Sequence, residues 1–196
     1  MTAASLPRER FESRFLVEWV VATSIGWLVG FTICEIIEAI LDFFANFSLG
    51  SLGLSGGVDG IVLGGSMGIA QWIVLNRRVP RAGWWILATI VGFVIVKVTG
   101  GGITSAVDGA LGVVLTGALL GAALGVPQWL VLDRGYERAA RWILMSTLTW
   151  GVAWPVGVAS DLVLTSGSGW GFFVGALIGG ALGGWSLTRL FHDRRA

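Results

Sequence analysis

One cysteine, Cys34, and one histidine, His192, occur in 196 residues. A lone cysteine excludes an internal disulfide, a Cys-X-X-Cys redox pair and any Cys/His metal knuckle. A lone histidine in the C-terminal tail leaves no imidazole in the apolar segments to ligate haem, pigment or metal, and none for a Ser/His/Asp triad. Charge is scarce as well: Asp, Glu, Lys and Arg make up 13% of the chain, about half the share of an ordinary globular domain. No Walker lysine follows any glycine run, and no strand pattern precedes one, so a phosphate cradle is excluded. What fills the space is hydrophobic residues, at 55%, with a mean hydropathy of +0.80.

The few charges are clustered. Between Arg14 and Glu35 only Glu18 is charged, and between Arg81 and Asp108 only Lys97. The windows Asp59–Arg77, Asp108–Asp133, Arg141–Asp161 and Asp161–Arg189 contain no charge at all. Each window supplies most of the ~20 residues that cross a bilayer core, so the sequence predicts six transmembrane helices. Twelve of the thirteen basic residues fall on one side of these spans: Arg8, Arg10, Arg14, Arg77, Arg78, Arg81, Arg134, Arg138, Arg141, Arg189, Arg194 and Arg195. The positive-inside rule places both termini in the cytoplasm. Orientation accounts for the arginines, and no nucleic-acid partner is expected. The leader 1–14 carries acids, the apolar run after it is too long for a signal-peptide core and no small-x-small cleavage site follows, so it reads as retained.

The apolar segments repeat. Residues 60–78 read GIVLGGSMGIAQWIVLNRR, residues 117–134 read GALLGAALGVPQWLVLDR, and residues 175–189 read GALIGGALGGWSLTR. Glycines recur four apart at Gly60/Gly64/Gly68, Gly117/Gly121/Gly125 and Gly175/Gly179/Gly183, the pattern that lets membrane helices approach closely. The intervening helices repeat too, aligning Trp19/Trp85/Trp142 and Thr23/Thr89/Ser146. The expected fold is an all-α integral membrane protein: three parallel pseudo-repeated hairpins at about 15–78, 83–134 and 141–189, with glycine-zipper packing. A single membrane domain covers 15–189 and a cytoplasmic tail 190–196. Helices two, four and six, which carry the glycines, are expected to form the centre. Parallel repeats argue against the inverted repeats of many transporters.

Three groups of residues are candidates for a site. Gln71 and Gln128, with Ser186 in the third copy, lie at the depth of Thr23, Thr89 and Ser146. An amide in hydrocarbon needs partners, so an interhelical polar clamp is expected. Glu35, Glu38 and Lys97 lie toward the outer mouth, with Lys97 snorkelling outward or pairing with Glu35, Glu38 or Asp108. Among eleven tryptophans, Trp19, Trp84, Trp85 and Trp142 suit an inner aromatic belt and Trp170 an outer one. Gly100-Gly101-Gly102 is expected to end the third helix, and Pro127 and Pro155 to kink the fourth and fifth.

Through Gly64–Arg77 and Gly121–Arg134 the chain resembles a group of uncharacterised bacterial multi-pass membrane proteins with repeated Gly-rich, Gln-Trp segments. The resemblance implies the membrane fold and no activity. The expected role is a non-enzymatic structural or partner-binding subunit without cofactor. Its partners are the lipid bilayer and another membrane protein met through the 42–59 outer loop, where the first hairpin carries extra residues. The alternative is a small proton, cation or small-molecule transporter or channel.

Overall fold

A computed structural model describes residues 8–45, 55–107 and 109–192. Its regular elements are six α-helices: α1 (Arg8–Ala45), α2 (Ser55–Leu75), α3 (Trp84–Ala106), α4 (Gly109–Leu132), α5 (Arg141–Leu164) and α6 (Phe172–Leu190). Four stretches, Glu12–Phe44, Gly56–Leu75, Gly109–Leu132 and Arg141–Leu164, are long and apolar enough to cross a membrane. In α3 the apolar stretch is shorter, Trp84–Thr99. α6 carries five glycines, all buried, so it is fitted by shape more than by hydropathy.

The helices run longer than the sequence suggests. α1 starts inside the basic leader, at Arg8, and its 38 residues span about 57 Å at 1.5 Å per residue. α3 passes through Gly100-Gly101-Gly102 to Ala106 rather than ending there. Pro127 and Pro155 sit inside α4 and α5, which continue past them. Of the 42–59 segment, 46–54 lie outside the described residues, as does Asp108.

Each helix packs on its neighbours in the chain, and α6 closes the ring on α1. Neighbours are antiparallel: Gly60, Gly64 and Gly68 of α2 face Val94, Ile90 and Ile86 of α3 in turn. One end of the bundle therefore gathers Arg14, Arg77, Arg78, Arg81, Arg134, Arg138, Arg141 and Arg189, and the other Glu35, Glu38, Asp42, Asp59 and Asp161. The outer surface is apolar, with Val17, Ile25, Ile73, Leu87, Leu130 and Leu144 exposed.

The glycine faces do not meet one another at a centre made of α2, α4 and α6. They meet the intervening helices. A methyl built on Gly60 or Gly64 would stand 2.6 Å from the Cα of Val94 or Ile90, and on Gly68 2.9 Å from the Cα of Ile86. On Gly117 it would stand 2.6 Å from Trp154 Cβ, on Gly121 2.6 Å from Thr147 Cα, and on Gly125 3.0 Å from Ile143 Cα. At Gly60, Gly64, Gly68, Gly117 and Gly121 these approaches leave no room for a side chain, and at Gly125 the neighbouring helix would have to give by a few tenths of an ångström. In α6 the load moves: Gly175 is tight against Ala153 O at 2.7 Å, but Gly179 and Gly183 have nothing nearer than 3.5 Å. The close approach to α1 falls on Gly180 and Gly184, at 3.2 Å from Val20 Cα and 2.8 Å from Trp19 Cδ1.

Candidate functional site

Inside the basic half of the ring, the tryptophans of the odd helices turn inward. Trp19, Trp85 and Trp142 are 2%, 0% and 6% exposed, whereas the adjacent Trp84 is 57% exposed. This corrects the belt reading for Trp19, Trp85 and Trp142. Their rings touch in series, with centroids 5.9 Å apart between Trp19 and Trp85 and again between Trp85 and Trp142. Trp170, at the opposite end, is 43% exposed and packs edge-on against Phe31.

The two glutamines sit among these rings, buried, and each spans two helices. Gln71 Nε2 donates to Thr23 Oγ1 on α1 at 3.1 Å, while its Oε1 accepts from Trp85 Nε1 on α3 at 2.8 Å. Gln128 repeats the arrangement: Nε2 donates to Thr89 Oγ1 at 3.0 Å and Oε1 accepts from Trp142 Nε1 at 3.0 Å. Thr89 donates its own proton back to Trp85 O at 2.8 Å. Each amide thus ties three consecutive helices together, using hydrogen bonds that no solvent competes for. The sequence missed the tryptophan half of this bridge. Its signal is the equal spacing of fourteen residues from Gln71 to Trp85 and from Gln128 to Trp142.

The third copy does not follow. Ser186 donates to Leu182 O on its own helix at 2.8 Å, so it bridges nothing between helices. The Ser146 side chain makes no hydrogen bond to another described residue. Between the three tryptophans lies a cavity of about 20 Å³, lined by Trp19, Thr23, Gln71, Gln128, Ser146 and Gly183 among others.

Toward the basic end, the interior closes with Phe15, Leu75, Val79, Tyr136, Leu187 and Leu190, all buried. Arg78 lies over the Phe15 ring at 4.5 Å and donates to Val74 O at 3.3 Å. Tyr136 donates its hydroxyl proton to Arg78 O at 3.0 Å, stitching the α2–α3 turn to the α4–α5 turn. Burial pushes the Arg78 guanidinium below its ordinary pKa, with Glu18 opposing the shift. Three grooves open on the outside at this end, one between each odd helix and the next. Arginines stand in all three: Arg14, Arg77 and Arg78, Arg81 and Arg134, and Arg141 and Arg189.

No ion pair joins the outer-mouth residues Glu35, Glu38 and Lys97 to one another among the described residues. Lys97 pairs with Asp59, Nζ to Oδ2 at 3.2 Å, both partly exposed. It neither snorkels free nor reaches Glu35 or Glu38, which make no ion pair among the described residues. A carboxylate that bounds two of the neutral windows does more. Asp161, 7% exposed, accepts at Oδ1 from Thr165 Oγ1 at 2.6 Å, Gly169 N at 2.8 Å and Gly171 N at 3.0 Å. It fixes the α5–α6 turn. Among the described residues, no group of three His, Cys, Asp or Glu side chains is placed to hold a metal ion. No family model matches the chain, and no curated protein or solved structure matches it either.

Proposed function

We propose that the chain is a non-enzymatic, six-span membrane protein of three parallel pseudo-repeated hairpins with glycine-zipper packing, akin to the Gly-rich, Gln-Trp group named above. Both termini face the cytoplasm of a bacterial inner membrane, and it serves as a structural or partner-binding subunit. The observation that carries this reading is how full the interior is. The cavity among the tryptophans holds about 20 Å³, about one water, and the buried aromatic cluster closes the basic end. A conduit needs a continuous polar path, and the two buried amides, Gln71 and Gln128, are spent on holding helices to one another. The arginines above apolar grooves suit contact with lipid headgroups and acyl chains, which makes the bilayer the first partner. The 42–59 segment is the proposed contact for a second membrane protein.

One observation favours the alternative, a small proton, cation or small-molecule transporter or channel: the Lys97–Asp59 pair between α3 and α2. Purified protein in liposomes separates the two. The scaffold reading expects no proton or cation flux above empty vesicles, and a stoichiometric membrane partner lost on deleting 48–55. Flux abolished by Asp59→Asn or Glu38→Gln overturns it.

A further inference from the structure

The two glutamine bridges have a third counterpart in which the amide is missing, and its location follows from distances. A methyl on Gly68 would lie 2.9 Å from Ile86 Cα and 3.3 Å from Thr89 Cβ. On Gly125 it would lie 3.0 Å from Ile143 Cα and 3.2 Å from Ser146 Cβ. The same contacts recur at Gly180, 3.2 Å from Val20 Cα and 3.3 Å from Thr23 Cβ. Gly180, rather than Gly183, is therefore the counterpart of Gly68 and Gly125. The rest of the helix agrees. Seven residues on stand Leu75, Leu132 and Leu187, each 0% exposed, and nine on stand Arg77, Arg134 and Arg189. Three residues on stand Gln71, Gln128 and Gly183.

By that register a third amide at position 183 would accept from Trp19 Nε1 and donate to Ser146, as Gln71 and Gln128 do with their own pairs. Glycine supplies neither contact. Trp19, Ser146 and the neighbouring Thr149 are 2%, 3% and 5% exposed. All three line the cavity of about 20 Å³, and none hydrogen-bonds another described residue through its side chain. Close packing does not demand the glycine: a methyl there would sit 3.5 Å from Trp19 Nε1 and 3.8 Å from Trp142 Cη2, ordinary contact. A buried water needs roughly 10–15 Å³ and two to four polar partners, and an indole donor with two hydroxyls satisfies that.

We propose that position 183 is a binding site for one water molecule, which takes the indole proton of Trp19 and bridges it to the hydroxyls of Ser146 and Thr149 in place of the third amide. The site stands whether or not the chain transports anything.

Two measurements test it. In wild-type protein, with Trp19 assigned through Trp19→Phe, the Trp19 indole proton should show an NMR cross-relaxation peak to a long-lived water. The Trp85 and Trp142 indole protons, bonded to glutamine, should show none. Absence of that peak at Trp19 overturns the proposal. Independently, Gly183→Gln supplies the amide and displaces the water, whereas Gly183→Leu displaces it and supplies nothing. The glutamine variant should melt about 2–6 °C above the leucine variant, and the gap should shrink in a Trp19→Phe background. Equal melting temperatures overturn it. Should neither variant fold, the water peak at Trp19 decides alone.

Discussion

At the basic end of the bundle, Trp85 and Trp142 are fixed by glutamines, short turns are tied by Tyr136, and the centre is packed with buried leucines and aromatics. At the acidic end, α1 runs on to exposed Phe43 and Phe44, Lys97 and Asp59 form a partly exposed pair, and order is concentrated in one knot around Asp161. The same six helices serve both ends, so helix propensity does not separate them. The difference is whether polar groups meet across helices out of water's reach. A buried amide bridging three helices resists local opening, while a partly exposed ion pair contributes about 0–1 kcal/mol. Local stability should therefore fall from the basic end to the acidic end.

The sharpest way to break this contrast is to place one side chain at a closed and at an open glycine. Gly121→Leu drives a side chain into the α5 backbone and should cost about 3 kcal/mol or more, enough to lose the folded peak in detergent gel filtration. Gly57→Leu, with nothing within 4 Å, should elute as wild type. If both elute alike, the close contact of α4 with α5 is not what holds the bundle.

Next in size is the bridge itself. Gln128→Leu strands the Trp142 indole proton and removes the bond to Thr89, a loss of about 1–3 kcal/mol. It should lower the melting midpoint in detergent, followed by tryptophan fluorescence. An unchanged midpoint would contradict the bridge. At the opposite end, Asp161→Ala leaves Thr165, Gly169 and Gly171 without their acceptor, for about 1–2 kcal/mol. Hydrogen exchange should quicken across 165–171 and stay slow around Trp85, because the two ends open separately. The smallest effects belong to the acidic-end charges. Lys97→Met should cost under about 1 kcal/mol, and Glu35→Gln or Glu38→Gln should stay within about 0.5 kcal/mol by the same melts. A large loss at Lys97 would reverse the ranking of the ends.

Much of this was legible in the residues, and the misses have physical causes. Helix number and the gathering of arginines at one end follow from where charge is absent, since a long neutral run has one low-energy arrangement. The meeting of Gln71 with Thr23 and of Gln128 with Thr89 follows from depth along antiparallel helices. The partner role of Trp85 does not. Trp84 and Trp85 are adjacent and chemically identical, and a turn of about 100° per residue sends one outward and the other into the core. The third copy misled for a different reason. Its glycines recur at intervals of one, three and four, so a frame through Gly175, Gly179 and Gly183 matches the second copy at seven of nine residues. The backbone contacts instead select Gly180, because only that frame also seats Leu187 and Arg189.

Composition and the spacing of charge determined that the chain forms long apolar helices, and that their basic ends lie together. Both are properties of single helices and of their order along the chain. Which residues face inward, which glycines press on backbone, and which indole lacks an amide were settled only when the ring closed α6 onto α1. These depend on rotations of a helix about its axis, and several rotations of so uniformly apolar a helix serve almost equally well until a neighbour's backbone and polar groups choose among them.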